Sequence, residues 1–356
     1  MAWPVSARFH SILGGPHQAQ FRCDVYSRGI LQATEVPYKN GAVTDQWVTG
    51  QRRNLTLEVP DTYWWKKWLA LPALEVRPWA GVSYGQGGSE LCPMGVFEVL
   101  VKPRNLIPGS LSLKAPDRWN RVVSQFLRPE WSRTELTAAQ AAVYVLQDQA
   151  SEPVSNLATS LARTPNVLWQ GAKQKVITDL LTPIAAEAFF DRNGFGVVKD
   201  RGYVWPATTV RPGRGGTVQD ITASADLSVV RNALSVSSSN TDVVFETVSA
   251  AITDPTDPAH PDVIGLRSEA LTSSVLSNQD EAKVMLYSEL RKRAAFSRQL
   301  SITQIPDYSL DAGDVTVACW DQFGDYEFVG IQSVSHPLRE GMQQITTVDV
   351  REESLV

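Results

Sequence analysis

The sequence predicts an α+β protein that is mostly β, with a β-barrel-like unit at each end and a mixed helical and strand region between. Three observations predict it. Short period-two segments separated by turn residues fill the N-terminal third. The period then changes to that of helices. After a well-capped helix, four more short strands close the chain.

Taken in order, residues 20–26 (QFRCDVY) alternate apolar and polar, and Ser27-Arg28-Gly29 turns the chain into a second strand at 31–36. Asn40-Gly41 marks a turn, because this pair reaches positive φ easily. Strands follow at 42–48 and 54–59, the latter with Leu55, Leu57 and Val59 on one face. Residues 74–79, 95–101 and 110–115 add three more. Many short strands of this kind indicate a barrel or sandwich.

In the middle, residues 138–147 (AAQAAVYVLQ) are helical by composition. Residues 172–190 carry Val176, Ile177, Leu180, Leu181, Ile184 and Ala188 at helical spacing, with a kink or restart expected at Pro183. Asp191-Arg192-Asn193-Gly194 then turns into a strand at 195–198, followed by 202–206. Residues 206–262 are rich in turn formers, with strands expected at 233–237 and 243–250. Asn278 is a good N-cap with Glu281 three residues on, so a helix is expected from there to about Arg298. Strands at 299–304, 314–319, 326–334 and 343–350 complete the chain. The implied units are 1–116, 117–205, 206–275 and 276–356.

Composition narrows the function classes. The chain has 356 residues, 43% of them hydrophobic and 20% charged, and a net charge of −5. That profile fits neither a disordered tail nor a basic nucleic-acid binder. Residues 1–135 carry 16 Lys+Arg and 11 Asp+Glu, a net of +5, whereas 136–356 carry 17 and 27, a net of −10. The acidic part suits a channel that lets DNA slide past, or simply a differently solvated surface. Cys23, Cys92 and Cys319 are too dispersed for a disulfide framework or a zinc site, and buried free thiols are expected, in a cytosolic assembly environment. The first ten residues lack the apolar stretch of a signal peptide, and no apolar run is long enough to span a membrane.

No motif for catalysis, cofactor or metal emerges. The histidines His10, His17, His260 and His336 show no metal-ligand spacing, and His336, before Pro337, is expected at the surface in a strand-end loop. Gly194-Phe-Gly196 has no following helix to bind a dinucleotide. Arg211 and Arg214 around Gly213–Gly216 offer an anion loop, with a mobile loop the better account. Glu187 and Asp191, four apart on one expected helical face, are a paired carboxylate of the kind glycosidases use, though a solvated helix end explains them as well. Asp254 and Asp257 read as a turn rather than a calcium site.

The tryptophans stand out. Trp47, Trp64, Trp65, Trp68 and Trp79 lie in the N-terminal part, three of them in the segment Tyr63-Trp-Trp-Lys-Lys-Trp68. Core packing, a subunit interface and a sugar platform all accommodate them. Trp64, Trp65, Trp68 and Trp79, with Tyr326, Phe328 and Ile345 of the last hairpin, are the candidate interface residues.

The order of the elements resembles the hub proteins at the tip of phage tails, and the hub part of type VI secretion spikes. Three stretches carry the resemblance. The first runs from Met94-Gly-Val-Phe-Glu98 through Ser110-Leu-Ser-Leu113 to Ala115-Pro-Asp117-Arg118, where this family leads into its middle domain. The second is the 172–190 segment with Asp191-Arg-Asn-Gly194. The third is the capped helix, its following strand, Pro306, Leu310-Asp-Ala-Gly-Asp314 and the closing Ile345-Thr-Thr-Val-Asp-Val350. The resemblance implies two barrel-like tail-hub domains per chain. It further implies a homotrimer that presents six barrels to a hexameric tail tube or distal tail protein above. A spike, tip or fibre protein would sit below, with DNA passing through the centre unbound. Such a protein belongs to the virion tail tip, is assembled in the host cytoplasm, and has no catalytic role. The hairpin of residues 326–350 would face ring neighbours, and loop 206–262 the exterior. A carbohydrate- or receptor-binding tail module is the alternative that the Trp-rich segment suggests.

Overall fold

The computed structural model describes residues 3–85, 88–101, 109–127, 134–147, 153–164, 171–202, 209–213, 215–224, 227–239, 245–295, 299–319 and 326–350. The N-terminal unit opens with α1 (Ala7–Leu13), whose N-cap Ser6 accepts a hydrogen bond from Phe9 N at 3.2 Å. Strands β1 (Gln18–Ser27), β2 (Ile30–Ala33), β3 (Asn40–Gln46) and β4 (Arg53–Pro60) follow. After α2 (Tyr63–Leu69) come β5 (Leu74–Ser83), β6 (Ser89–Pro93), β7 (Phe97–Glu98) and β8 (Ser110–Pro116).

Two sheets face each other across one core. One has the order β2-β1-β5-β6 with β7 also on β5, and the other contains β3-β4-β8. Leu55, Leu57 and Val59 of β4 point inward as their spacing predicts, into the core of Val25, Val76, Phe97 and Trp65. Gly81 allows β5 and β6 to meet, because a Cβ there would lie 1.9 Å from the Glu90 carbonyl oxygen. The strand expected at 95–101 shrinks to the two residues of β7, and α2, which the sequence did not assign, occupies the tryptophan segment.

The middle unit comprises α3 (Trp119–Val123), α4 (Ala138–Gln147), β9 (Ser155–Leu157), α5 (Lys173–Leu181), β10 (Ala186–Phe190) and β11 (Gly196–Asp200). The single helix expected over 172–190 is corrected here. α5 stops at Leu181, a 3-10 turn holds Pro183, and Ala185 takes a left-handed φ of 49° before β10 begins. All five residues of β10 are buried, so the strand shows no period-two signal and its apolar side chains extend the helical pattern by accident. Glu187 and Asp191 therefore share no helical face. Glu187 is buried in β10 with its carboxylate 3.2 Å from Lys199, and Asp191 caps the turn after it.

The remaining elements are β12 (Thr209–Val210), β13 (Val218–Ser224), β14 (Ala233–Ser238), β15 (Val248–Ala251), α6 (Pro261–Ile264), β16 (Ser268–Ser273) and α7 (Gln279–Ala294), then β17 (Gln299–Gln304), β18 (Val315–Cys319), β19 (Tyr326–Pro337) and β20 (Gln343–Asp349). Strands β15-β14-β16 form a small sheet on which α7 packs through Ala282, Met285, Leu286 and Leu290, so this helix shares its core with residues 230–276 rather than with the closing strands. The strand expected at 202–206 lies largely outside the described residues.

The closing strands do not stand alone. One sheet runs β13-β17-β20-β19-β3-β4-β8, with β18 also on β19 and β12 on β18. The long β19 pairs with β18 through residues 326–330 and with β3 through Ser333–Pro337. A strand from each end of the chain thus meets in one seam. Among the described residues neither large sheet closes on itself, so the units are barrel-like rather than closed barrels.

The α7 cap gives a direct check. Asn278 Oδ1 accepts from Glu281 N at 2.9 Å, and Glu281 Oε2 accepts from Ser277 N at 2.9 Å. Asn278→Ala lowers stability by about 1 kcal/mol, read as a drop in the chemical unfolding midpoint.

Candidate functional site

Three turns from distant parts of the sequence meet in one buried place: Asp117-Arg118 after β8, Asp191–Gly194 after β10, and Leu310–Asp314 before β18. Arg53, at the start of β4, lies on the same inward face as Leu55, two residues on. Its Nη2 reaches Asp45 Oδ2 at 3.1 Å and Asp311 Oδ1 at 3.0 Å, and its Nη1 donates to the Phe190 carbonyl at 3.0 Å. One guanidinium thus touches β3, β10 and the turn before β18.

Arg192 comes from the turn after β10. Its Nε donates to Asp311 Oδ1 at 2.7 Å, and its Nη atoms donate to the Tyr308 and Leu310 carbonyls at 2.5 Å each. Arg52 donates to the Ala312 carbonyl and lies over the Phe189 ring, 4.2 Å from its centroid. Asp117 accepts from the Arg52 and Arg53 amides at 3.1 and 2.9 Å and from Trp119 N at 3.0 Å. Arg118 grips Glu75 of β5 through both Nε and Nη2, and donates Nη1 to the Gly194 carbonyl at 3.0 Å. Gly194, at φ +80°, leaves no space there: a Cβ would meet Val96 at 3.0 Å and Arg118 Nη1 at 3.1 Å.

These charges are buried, and each environment sets its protonation. Burial opposes ionisation of Asp311, yet Arg192 and Arg53 beside it hold its carboxyl well below the usual range. Burial pushes Asp117 up to about 6 despite the three amides it accepts from, and Asp314 up to about 6 as well. The same burial, with Arg192 nearby, drives His336 down to about 3. The surface loop expected for His336 is therefore corrected. It lies inside β19, 2% exposed, because period two along that strand turns it inward with Val334. Its Nδ1 accepts from Gln343 Nε2 at 2.9 Å, and its ring stacks on Tyr308.

The expected interface residues divide. Trp65 is fully buried with its Nε1 donating to the Pro37 carbonyl at 2.7 Å, and Ile345 is buried beneath the C-terminal strands. Trp68 and Trp79 are half-buried, the former against both Trp64 and Trp65. Trp64, with Lys67 over its ring, and Phe328 remain exposed and lie on different units. The side chain of Tyr326 lies outside the described residues. The hairpin β19–β20 is paired on both sides, so only its faces are open to a neighbour. Cys23 and Cys92 are buried free thiols, Cys92 pushed up to about 12 by burial; the Cys319 side chain lies outside the described residues. Asp254 and Asp257 accept from the amides of Thr256 and Ala259, as turn residues do. A cavity of about 330 Å³ lies between Gly14 and the loop of Arg211, Gly215 and Gly216; Arg214 is outside the described residues. Among the described residues no cluster of metal-ligating side chains occurs, and no helix is long and apolar enough to cross a membrane.

In the sequence, Asp117, Arg118, Asp311 and Arg192 stand in motifs that assign them no partners. Asp45, Arg52, Arg53 and Glu75 stand in no motif at all. Period two is a signal for two of them, since Asp45 falls on the face of Val43, and Arg53 on that of Leu55.

Removing Arg192 from this junction leaves the buried Asp311 with Arg53 as its remaining ion-pair partner and the Tyr308 and Leu310 carbonyls without the Arg192 donors. Arg192→Met, measured by chemical unfolding, costs about 3–5 kcal/mol. The acid response follows from His336. Its folded value lies below the ordinary 6.5, so as pH falls from 6.5 toward 3 the unfolded chain binds a proton that the folded chain refuses, and stability is lost. Asp117 and Asp314 act oppositely, gaining protons in the folded state first as pH falls from 6 toward 3.8. His336→Asn, which keeps an acceptor for Gln343, loses less stability than the parent between pH 7 and pH 5 in unfolding midpoints.

Solved structures share this architecture. The fold matches the tail protein from Neisseria meningitidis MC58 with a TM-score of 0.66, covering 92% of this chain and 96% of that one at 11% identity. It matches the 43 kDa tail protein of prophage MuSo2 from Shewanella oneidensis with a TM-score of 0.62, covering 94% and 100% at 11% identity. An Escherichia coli component of the type VI secretion system, itself described as similar to T4 tail proteins, gives 0.51 over 93% and 77% at 11% identity. The chain thus has the fold of phage tail proteins and of type VI spike-like proteins. No family sequence model matches it, and no curated protein sequence matches it significantly.

Proposed function

We propose that the chain is a structural tail hub subunit of a virion, without a catalytic role. Three copies form a ring between a hexameric tail tube or distal tail protein and a spike, tip or fibre. One observation carries the reading: two β units, one from each end of the chain, lie side by side in one sheet joined through β3 and β19. A chain that supplies two wall segments side by side gives six in a trimer, which is the number a sixfold tube requires. The fold shared with tail proteins along more than nine-tenths of the chain supports the same reading.

The buried junction gives the ring its rigidity in this account. It fixes the middle unit against both β units, so the angle between neighbouring wall segments is set inside each chain. Ring closure then depends on heterologous contacts between copies, for which the exposed Trp64 and Phe328 are the candidate anchors among the aromatic residues.

Light scattering on the purified chain, followed by negative-stain imaging, tests the ring. The expected result is a mass three times the 39.2 kDa of one chain and particles with a central hole. A monomer at every concentration, or a compact particle without a hole, overturns it.

A further inference from the structure

The long sheet that joins the two β units has two faces of different chemistry, and its register makes the outer one legible. Following cross-strand partners from one edge, Asp220, Thr303, Gln344, Ser335, Thr44 and Asn54 form a single row over six adjacent strands. The next row contains Thr222, Ser301, Thr346, Ser333 and Gln46. None of these side chains is buried. The opposite face holds Ile302, Ile345, Val334, Leu55 and Leu57, all buried.

What the outer face lacks is informative. Across the four central strands β17, β20, β19 and β3 these two rows carry no charge, no aromatic ring and no large aliphatic side chain; Phe328, the exposed aromatic residue on the same side of β19, lies outside them, in the part of the strand that pairs with β18. Among the described residues on this side of the sheet, charges stand on the flanking strands, as Asp220 on β13 and as Glu58 and Lys114 on β4 and β8. An ordinary solvent face mixes many charges of both signs, and an adhesive face carries aromatic and arginine anchors. These two rows are neither. They form a wall of hydroxyls and amides, roughly 15–20 Å wide across its four strands.

From this pattern we infer that the hydroxyl- and amide-rich face lines the channel of the ring, with duplex DNA as the molecule that passes it. The inference rests on the hub reading and adds which surface faces the DNA. Each lysine or arginine that meets a phosphate releases counterions and adds affinity. Aromatic rings hold unpaired bases by stacking. A wall without either offers DNA only short-lived hydrogen bonds that water replaces, so the duplex moves along it without a binding step. The seam at β3 and β19 makes the wall continuous across both β units of one chain.

The test places cations on the wall. The full chain carrying Gln46→Arg, Ser301→Arg and Gln344→Arg, all at exposed positions, is mixed with a short linear duplex and with the same duplex closed into a covalent minicircle. Leu161→Arg with Val263→Arg, outside this face, serves as control. The wild-type chain is expected to retain neither DNA. The wall variant is expected to hold the linear duplex roughly tenfold or more tightly than the minicircle, because only a free end can thread a ring while phosphate contacts supply the affinity. The control should treat both alike. Equal binding of both DNAs by the wall variant overturns the inference, as does tight DNA binding by the wild-type chain. The mass of the same samples separates the two failures. A trimer with equal binding removes only the wall, and a monomer removes the hub reading with it.

Discussion

The structure depends on how Asp311 is held. Its carboxylate lies between Arg53 of the N-terminal unit and Arg192 of the middle unit, and it belongs itself to the turn between β17 and β18 of the C-terminal strands. Three units therefore meet at one oxygen atom. A buried carboxylate this far from water must be compensated closely, and removing either guanidinium leaves it short. That geometry couples the units more tightly than apolar contact alone, because apolar surfaces slide and paired charges have a fixed register. The neighbouring Asp117 works differently. It is satisfied by three backbone amides, two at the start of β4 and one at the start of α3, so it fixes the path of the chain where the N-terminal unit meets the middle one.

The seam between β3 and β19 follows from this junction. Both strands contribute to it or run directly past it: Asp45 is on β3, opposite Val334 of β19, and Arg53 is opposite Asp45 on β4. The strands are separated by most of the chain, so their pairing requires the intervening units to be placed such that both ends meet. The salt-bridged turns supply that placement.

The alternating strands and the capped helix were legible because each obeys one period and one signal. Leu55, Leu57 and Val59 suffice to define β4, and Asn278 with Glu281 marks α7 without help from tertiary structure. β10 was not legible, because a strand buried on both faces carries no alternation, and Ala-Glu-Ala-Phe-Phe continues a helical stripe. His336 was misplaced because Pro337 reads as a strand end, whereas here the proline occupies the last position of β19 beside β3. The junction was half legible. Several of its residues stood in the motifs that carry the hub resemblance, but pairing between positions such as 53 and 311 is a property of the fold, and a single sequence holds no record of it.

The distribution of charge connects the junction with the wall. Asp45, Arg52, Arg53, Asp311 and Arg192 are all buried, and Asp45 and Arg53 sit on the inward face of the sheet whose outward face is uncharged at its centre. Period two makes these two facts one choice. A strand that turns Asp45 and Val43 inward must turn Thr44 and Gln46 outward, and a strand that turns Arg53 inward must turn Asn54 outward. The inward charges are paired among themselves beneath the sheet, and across β17, β20, β19 and β3 the two outward rows carry no charged side chain of their own. In the channel proposed above, such a wall would give a polyanion neither cations to hold it nor anions to repel it.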